Sequence, residues 1–229
     1  MSESDITRLN KYIALHQGIS RRQADELIER GKVAINSQTA VIGARLQPGD
    51  KVTIDGRPVD DSTEFVYLML NKPVGYVCSR RKQGESPTIY DLLPQKYKTL
   101  KTVGRLDRDS SGLILLTNDG DFALQMTHPR YHKVKRYEVS LDEPLEPLHQ
   151  QMISDFGVDL EDGKSKLLLE RQSDDRKDWT VTMSEGRNRQ IRRTFAALGY
   201  TVAQLHRTHF GPYTLHDLPS SSYLVTTKK

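Results

Sequence analysis

The chain has 229 residues, 36% hydrophobic and 28% charged, with a formal net charge of +4. That balance excludes a disordered polyelectrolyte and suits one medium domain or a small domain followed by a larger one. No apolar run approaches the roughly 20 residues needed to span a bilayer. The opening Met1-Ser2-Glu3-Ser4-Asp5 is too acidic for a secretory signal, and the lone Cys78 rules out an internal disulfide, so a cytoplasmic location is expected.

Residues 6–57 read as a self-contained unit. Leu9, Tyr12 and Ile13 recur at helical spacing and predict a helix over 8–16, stopped by Gly18. Ser20 and Gln23 form a capping-box pair, and the helix they start carries Ala24, Leu27 and Ile28 on one face and ends at Gly31. Strands are expected at 33–35 and 51–54, with turns at Asn36-Ser37 and Pro48-Gly49-Asp50. Arg21 and Arg22 fall in the first turn of the second helix, where positive charge opposes the helix dipole and a bound anion would offset the cost. Residues 58–64 are polar and turn-rich and read as a linker.

From residue 65 onward the pattern changes. Strands are expected at 65–70, 101–103, 113–116, 137–140, 166–170 and 179–183, and helices at 120–126, 145–153 and 189–198. Strands mixed with helices, without strict alternation, predict an α+β domain over 65–229 and not a doubly wound sheet.

Basic residues cluster three times: Arg21, Arg22, Arg30 and Lys32; then Arg80, Arg81 and Lys82; then Arg187, Arg189, Arg192 and Arg193. Such clustering is the electrostatic footprint of a phosphate-backbone partner. Four segments carry candidate chemistry. The Pro73 and Gly75 turn presents Lys72 after a buried strand. Gly104 and Gly112 bracket a turn that holds Asp107 between Arg105 and Arg108, directly before the apolar Leu113-Ile114-Leu115-Leu116. A basic stretch from Lys133 delivers Tyr137, whose ring can stack on a base. Finally, Gly186 and Asn188 suit a turn before a helix with Ile191, Phe195 and Leu198 inside and Arg189, Arg192 and Arg193 outside. Those arginines need anionic partners, which Asp107 or an RNA phosphate would supply. Each segment alone has an ordinary structural reading: a turn aspartate bonded to local backbone, a half-buried strand tyrosine, a solvated basic face.

Two resemblances join these pieces. Residues 8–54, through "SRRQADELIERGKVAIN" and "LQPGDKVTID", resemble the S4 domain, a small RNA-binding module. The segments "LNKPVGYVCS", "GRLDRDSSGLILLTNDGD", "KRYEV", "EGRNRQIRRTFAALG" and "LHRTHFGPYTL", in that order, resemble the RsuA/RluB/RluE/RluF family of ribosomal RNA pseudouridine synthases. The resemblance implies an S4-type module followed by a catalytic domain with a mixed, largely antiparallel sheet. It implies Asp107 as the catalytic carboxylate, Tyr137 as the tyrosine packing on the target base, and Arg192 as the basic residue pairing with the aspartate. RNA contacts are expected from Arg105, Lys72, Arg187, Arg189, Arg193, Arg21, Arg22 and Lys32. Arg189 departs from some relatives, which carry histidine there. The reaction has no net oxidation, so no nicotinamide, flavin or metal cofactor is expected. The partner would be ribosomal RNA or an assembling ribosomal subunit, approached by a monomer.

The compact ending and the "GYVCS" and "HPRYH" text lean toward the RsuA branch and small-subunit (16S) RNA; the alternative is large-subunit (23S) RNA. Two other readings compete. A non-catalytic S4-domain assembly factor explains the charge and the first unit but not the Asp107, Tyr137 and Arg192 set. A metal nuclease would use Asp107 and Asp109 as magnesium ligands, yet Arg105 and Arg108 crowd them with positive charge. His206 and His209 lack cysteine neighbours for zinc, and Cys78 reads as a strand thiol. Asp109 is expected to be a turn or capping residue.

Overall fold

The computed structural model describes residues 7–60, 62, 64–80 and 84–229. Arg81 and Lys82 of the second basic cluster, and positions 61 and 63 of the expected linker, lie outside the described residues. The chain forms two units, one running to Val66 with Asn118–Gly120, the other comprising Tyr67–Thr117 and Asp121–Lys229.

In the first unit, β1 (Thr7–Arg8) leads into α1 (Leu9–His16) and α2 (Arg21–Glu29). The capping box at α2 is present: Ser20 Oγ accepts from the Gln23 amide and Gln23 Oε1 accepts from the Ser20 amide. The strands β2 (Val33–Ile35), β3 (Gln38–Thr39), β4 (Arg45–Leu46), β5 (Val52–Ile54) and β6 (Arg57–Pro58) follow. Four of them form a sheet ordered β3-β2-β5-β6, larger than the two expected strands, and β4 pairs with β1. Asn36 and Ser37 both have positive φ, the two-residue turn geometry that closes a hairpin. Because β6 pairs with β5, it takes in Pro58, where the linker was expected to begin. Leu9, Ile13, Ala24, Ile28, Val33 and Val52 form the core.

The second unit is built on β7 (Tyr67–Lys72), β8 (Lys101–Val103), β9 (Ser111–Thr117), β10 (Lys135–Leu141), β11 (Val158–Leu160), β12 (Gly163–Ser165), β13 (Leu168–Arg171), β14 (Asp178–Met183), β15 (Val202–Phe210), β16 (Tyr213–Thr214) and β17 (Tyr223–Thr226). Its helices are α3 (Gly120–Thr127), α4 (Pro147–Gln151), which runs into a π-turn at Met152–Phe156, and α5 (Gln190–Ala196). A nine-stranded sheet runs β13-β14-β10-β15-β9-β7-β17, with β8 on β9 and β16 on β15. Every pairing is antiparallel except β9 with β15, which run parallel in register at His206↔Ser111 and Arg207↔Gly112. The mixed α+β architecture agrees with expectation. β15 was not expected from the sequence, and β7 begins two residues later than expected.

β9 is buried on both faces, as its unbroken apolar run requires, and packs with Met69, Val103, Phe122, Met126, Phe210 and Tyr213. That rigid strand begins immediately after the Asp107 turn. Among the described residues no helix is long and apolar enough to cross a membrane.

Candidate active site

The Asp107 turn is held from below. Lys72, at the end of β7, is fully buried, and its Nζ donates to the carbonyl oxygens of Asp107 (2.9 Å), Ser110 (2.5 Å) and Pro73 (3.1 Å). Gly75, at φ +93°, donates its amide to the Arg108 carbonyl at 2.7 Å. The segment expected to present Lys72 to RNA therefore turns it inward as a clamp on the turn, because four carbonyls converge on one ammonium. Burial pushes its pKa down, and the Asp107 and Asp109 carboxylates oppose that shift. Cys78 lies in a bend and not in a strand; its Sγ accepts the Leu106 amide at 3.4 Å, and burial raises its pKa so that it stays a thiol.

With its backbone clamped, Asp107 keeps a carboxylate that is 34% exposed. It lines a cavity of about 330 Å³ together with Arg105, Tyr137, Arg187, Arg189 and Arg207. That volume is at the lower end of the range for a small-molecule site, roughly 300–1,000 Å³. Tyr137 lies on β10, 8% exposed, with its register partners Val181 and Arg207 on either side. Arg105 is exposed at the cavity edge.

The arginines sort themselves differently from expectation. Arg192 does not pair with Asp107: its Nε lies 3.4 Å from Asp109 Oδ2, its Nη2 donates to the Asp109 carbonyl at 2.8 Å, and its Nη1 donates to the Val202 carbonyl at 2.6 Å. The ion partner of Asp107 is Arg189, at 3.6 Å. Arg189 is also bidentate on Asp109, at 3.0 and 2.9 Å. Asp109 is thus the centre of a two-arginine clasp and not a simple turn residue, and the Arg189 hydrogen bonds hold its carboxyl below the usual range. The physical reason is local. Residue 107 points into the cavity, whereas residue 109, two positions on, faces the start of α5. Arg189 precedes that helix with left-handed backbone, φ +44°, a conformation that concentrates at functional sites.

Two further expectations change for the same reason. Arg187 donates to the Asp162 carboxylate and to the carbonyls of Asp162, Gly163 and Lys164, so its fork is committed to the β11–β12 hairpin. Arg193 donates to Asp162 at 2.7 Å and to the Asn188 carbonyl. The α5 arginines do find anions, but Asp109 and Asp162 supply them. In the first unit Arg21 and Arg22 are exposed, and Lys32 makes a 3.3 Å ion pair with Asp55.

Two cavity residues were not expected from the sequence. Arg207 is 2% exposed on β15, and Lys135 precedes Tyr137 by two residues on the same face of β10. A signal existed for the first: Arg207 occupies the inward phase of the Leu205 alternation, where an apolar residue is the ordinary choice.

A clamped, partly exposed carboxylate beside a buried tyrosine and excess positive charge is an arrangement suited to chemistry on a nucleic-acid base. The match to known proteins makes the class specific. The RNA pseudouridylate synthase model matches residues 66–197 and the S4 domain model residues 7–52. The chain belongs to the RNA pseudouridylate synthase family. It is 39% identical to the ribosomal small subunit pseudouridine synthase A of Yersinia pestis, covering 92% of this chain and 90% of that protein. It is 37% identical to the ribosomal large subunit pseudouridine synthase B of Bacillus subtilis, covering 92% and 88%. A crystal structure of a pseudouridylate synthase superposes with a TM-score of 0.68 at 35% identity, covering 96% of each chain.

Proposed function

We propose that this enzyme converts one uridine of small-subunit ribosomal RNA to pseudouridine, with Asp107 as its catalytic carboxylate. The observation that carries the reading is the clamp. Lys72 spends its donors on the turn backbone, which leaves the Asp107 carboxylate free to face the cavity beside Tyr137. The target nucleotide is extruded from its stack at a cost of a few kcal/mol. Asp107, 3.6 Å from Arg189, acts as nucleophile at C1′ or as base toward the 2′ hydrogen. The N1–C1′ bond breaks with its electron pair going to the base. The base turns and C5 bonds to C1′, displacing the Asp107 carboxylate in the nucleophilic route or with C2′ taking its proton back from Asp107 in the base route. The C5 proton then passes to N1, so the product is an isomer of the substrate. Tyr137 holds the base by stacking.

Exposed Arg21 and Arg22 contribute RNA contacts from the S4 unit, and Arg105 contributes at the cavity edge. The reading assigns the substrate to ribosomal RNA or an assembling subunit, and the enzyme to the cytoplasm as a monomer. The names of similar proteins that act on the small subunit support the choice of subunit.

Asp107→Asn keeps the shape and removes the charge. Pseudouridine mapping of both ribosomal RNAs from cells lacking the gene, complemented with wild type or this variant, should restore one small-subunit site with wild type alone. RNA affinity should be unchanged in the variant. Turnover by Asp107→Asn would reject the catalytic assignment, and a restored large-subunit site would reject the choice of substrate.

A further inference from the structure

The cavity holds charge that the fold leaves uncompensated. Arg207 faces Tyr137 across β10 and Gly112 across β9, so its side chain shares the cavity face with the tyrosine. Its Nε donates to the Leu113 carbonyl at 2.7 Å, and its guanidinium carbon lies 4.8 Å from the centre of the Phe210 ring. Its Nη2 is buried and has no hydrogen-bond partner among the described residues. An arginine cannot shed its proton to relieve this.

A second cation is aimed at the same ring. Lys135 Nζ is 5.5 Å from the Phe210 centroid and donates to the carbonyls of Glu185 (3.1 Å) and Lys133 (3.3 Å). Burial first, and repulsion from Arg207 second, push its pKa down to about 8, while Glu185 opposes the shift. Ser110 Oγ, also lining the cavity, is likewise buried without a partner among the described residues. In all, six lysines and arginines line the cavity against the two carboxylates Asp107 and Glu185.

We propose that Arg207 and Lys135 form a subsite for the departing base, donating to carbonyl oxygens of the flipped pyrimidine and stabilising its negative charge once the glycosidic bond is broken. The inference rests on the uridine-isomerising reading of the Asp107 cavity. When N1–C1′ breaks, its electron pair stays on the base, and the charge spreads from N1 onto the ring oxygens. The Nη2–H and Nζ–H donors meet that charge. When C5 joins C1′ the electron pair enters the new bond and the base is neutral again, and the C5 proton then moves to N1 with no net change of charge. The two cations therefore favour the cleaved state over either end of the reaction, which is how fixed donors accelerate a step. A backbone phosphate is a poorer occupant, because Arg207 sits beside the base-stacking tyrosine and is closed to solvent.

The test is single-turnover kinetics of the full chain on unmodified small-subunit ribosomal RNA carrying either uridine or 5-fluorouridine. Fluorine makes the detached base hold its charge more readily. Arg207→Gln should slow uridine consumption about a hundredfold at saturating RNA while leaving RNA affinity within threefold. The deficit should shrink at least fivefold on the fluorinated RNA, and Arg207→Lys should recover part of the rate. If Arg207→Gln does not fold, Lys135→Met carries the same test, with a tenfold deficit that also shrinks on the fluorinated RNA.

A deficit equal on both RNAs, or one confined to affinity as a phosphate contact would give, overturns the proposal. A variant rate within threefold of wild type overturns it too. Any of these outcomes, with Asp107→Asn still inactive, rejects the subsite and leaves the catalytic assignment standing. Turnover by Asp107→Asn rejects both.

Discussion

Replacing Gly112 by alanine tests the junction that sets Asp107 against Arg207. Gly112 has φ +102°, and an added Cβ would lie 2.3 Å from the Arg207 carbonyl oxygen and 2.5 Å from its amide nitrogen. Both neighbours are backbone, so no side chain can swing away. The backbone conformation alone costs an L-residue about 1–3 kcal/mol. Parting β9 from β15 to admit the methyl adds about 1–3 kcal/mol. The sum, about 2–6 kcal/mol, lowers the melting temperature of the second unit by about 12 °C at its midpoint, using 2–4 °C per kcal/mol for a chain of this size. Gly75→Ala separates the two contributions, because Gly75 has φ +93° but nothing within 4 Å of the new Cβ. Calorimetry of both variants beside wild type should place Gly112→Ala well below Gly75→Ala. Single-turnover rates should fall further for Gly112→Ala than its folded fraction explains, since the displaced strand carries Arg207. Equal melting temperatures for the two variants would refute the reasoning.

Two other substitutions follow from the charges around the turn. Lys72→Met removes the donor shared by the carbonyls of Pro73, Asp107 and Ser110, and should cost about 3 kcal/mol in a urea titration. It should also lower the rate at saturating RNA without weakening RNA binding; weakened binding with an intact rate would show that Lys72 reaches the RNA. Lys135→Met should do the reverse to stability. A lysine whose folded pKa is about 8 against an ordinary 10.5 contributes stability that is full above pH 10.5 and lost as pH falls through 8. At pH 7 the buried ammonium is therefore a net cost, about 1–2 kcal/mol after allowing for its partial exposure. The variant should melt higher than wild type at pH 7, and the gain should fade between pH 8 and 10.5. A gain that does not change with pH would point to packing instead.

What the sequence disclosed was whatever depends on neighbours a few residues away. Ser20 and Gln23 cap α2 because both partners lie within one turn. The Asp107 turn is legible from Gly104 and Gly112, which adopt the positive φ that the bracketing required. The long-range partners were not legible. Asp107 and Asp109 are equally acidic and two residues apart, and only the path of the turn decides which meets Arg192. Lys72 looked like a presented cation because nothing local shows four carbonyls closing over it. β15 was missed because Gln204, His206, Arg207, Thr208 and His209 interrupt its apolar alternation. The strand persists since its partners β10 and β9 supply the ladder.

That interruption also explains where the chemistry sits. The conspicuous arginines near α5 are largely satisfied: Asp109 takes Arg189 and Arg192, and Asp162 takes Arg187 and Arg193. Pairs of this kind hold α5 and the β11–β12 hairpin around the cavity, and they have little donor capacity left for RNA. Hidden in the strand patterns are two more cavity cations with no carboxylate partner, Arg207 on β15, whose buried Nη2 has no hydrogen-bond partner among the described residues, and Lys135 on β10, whose Nζ reaches only carbonyls. Natural folds tolerate uncompensated buried charge where a ligand completes it. In this cavity the cations without a carboxylate partner, Arg207 and Lys135, are therefore better placed to meet a charged base than the arginines that are most numerous near α5.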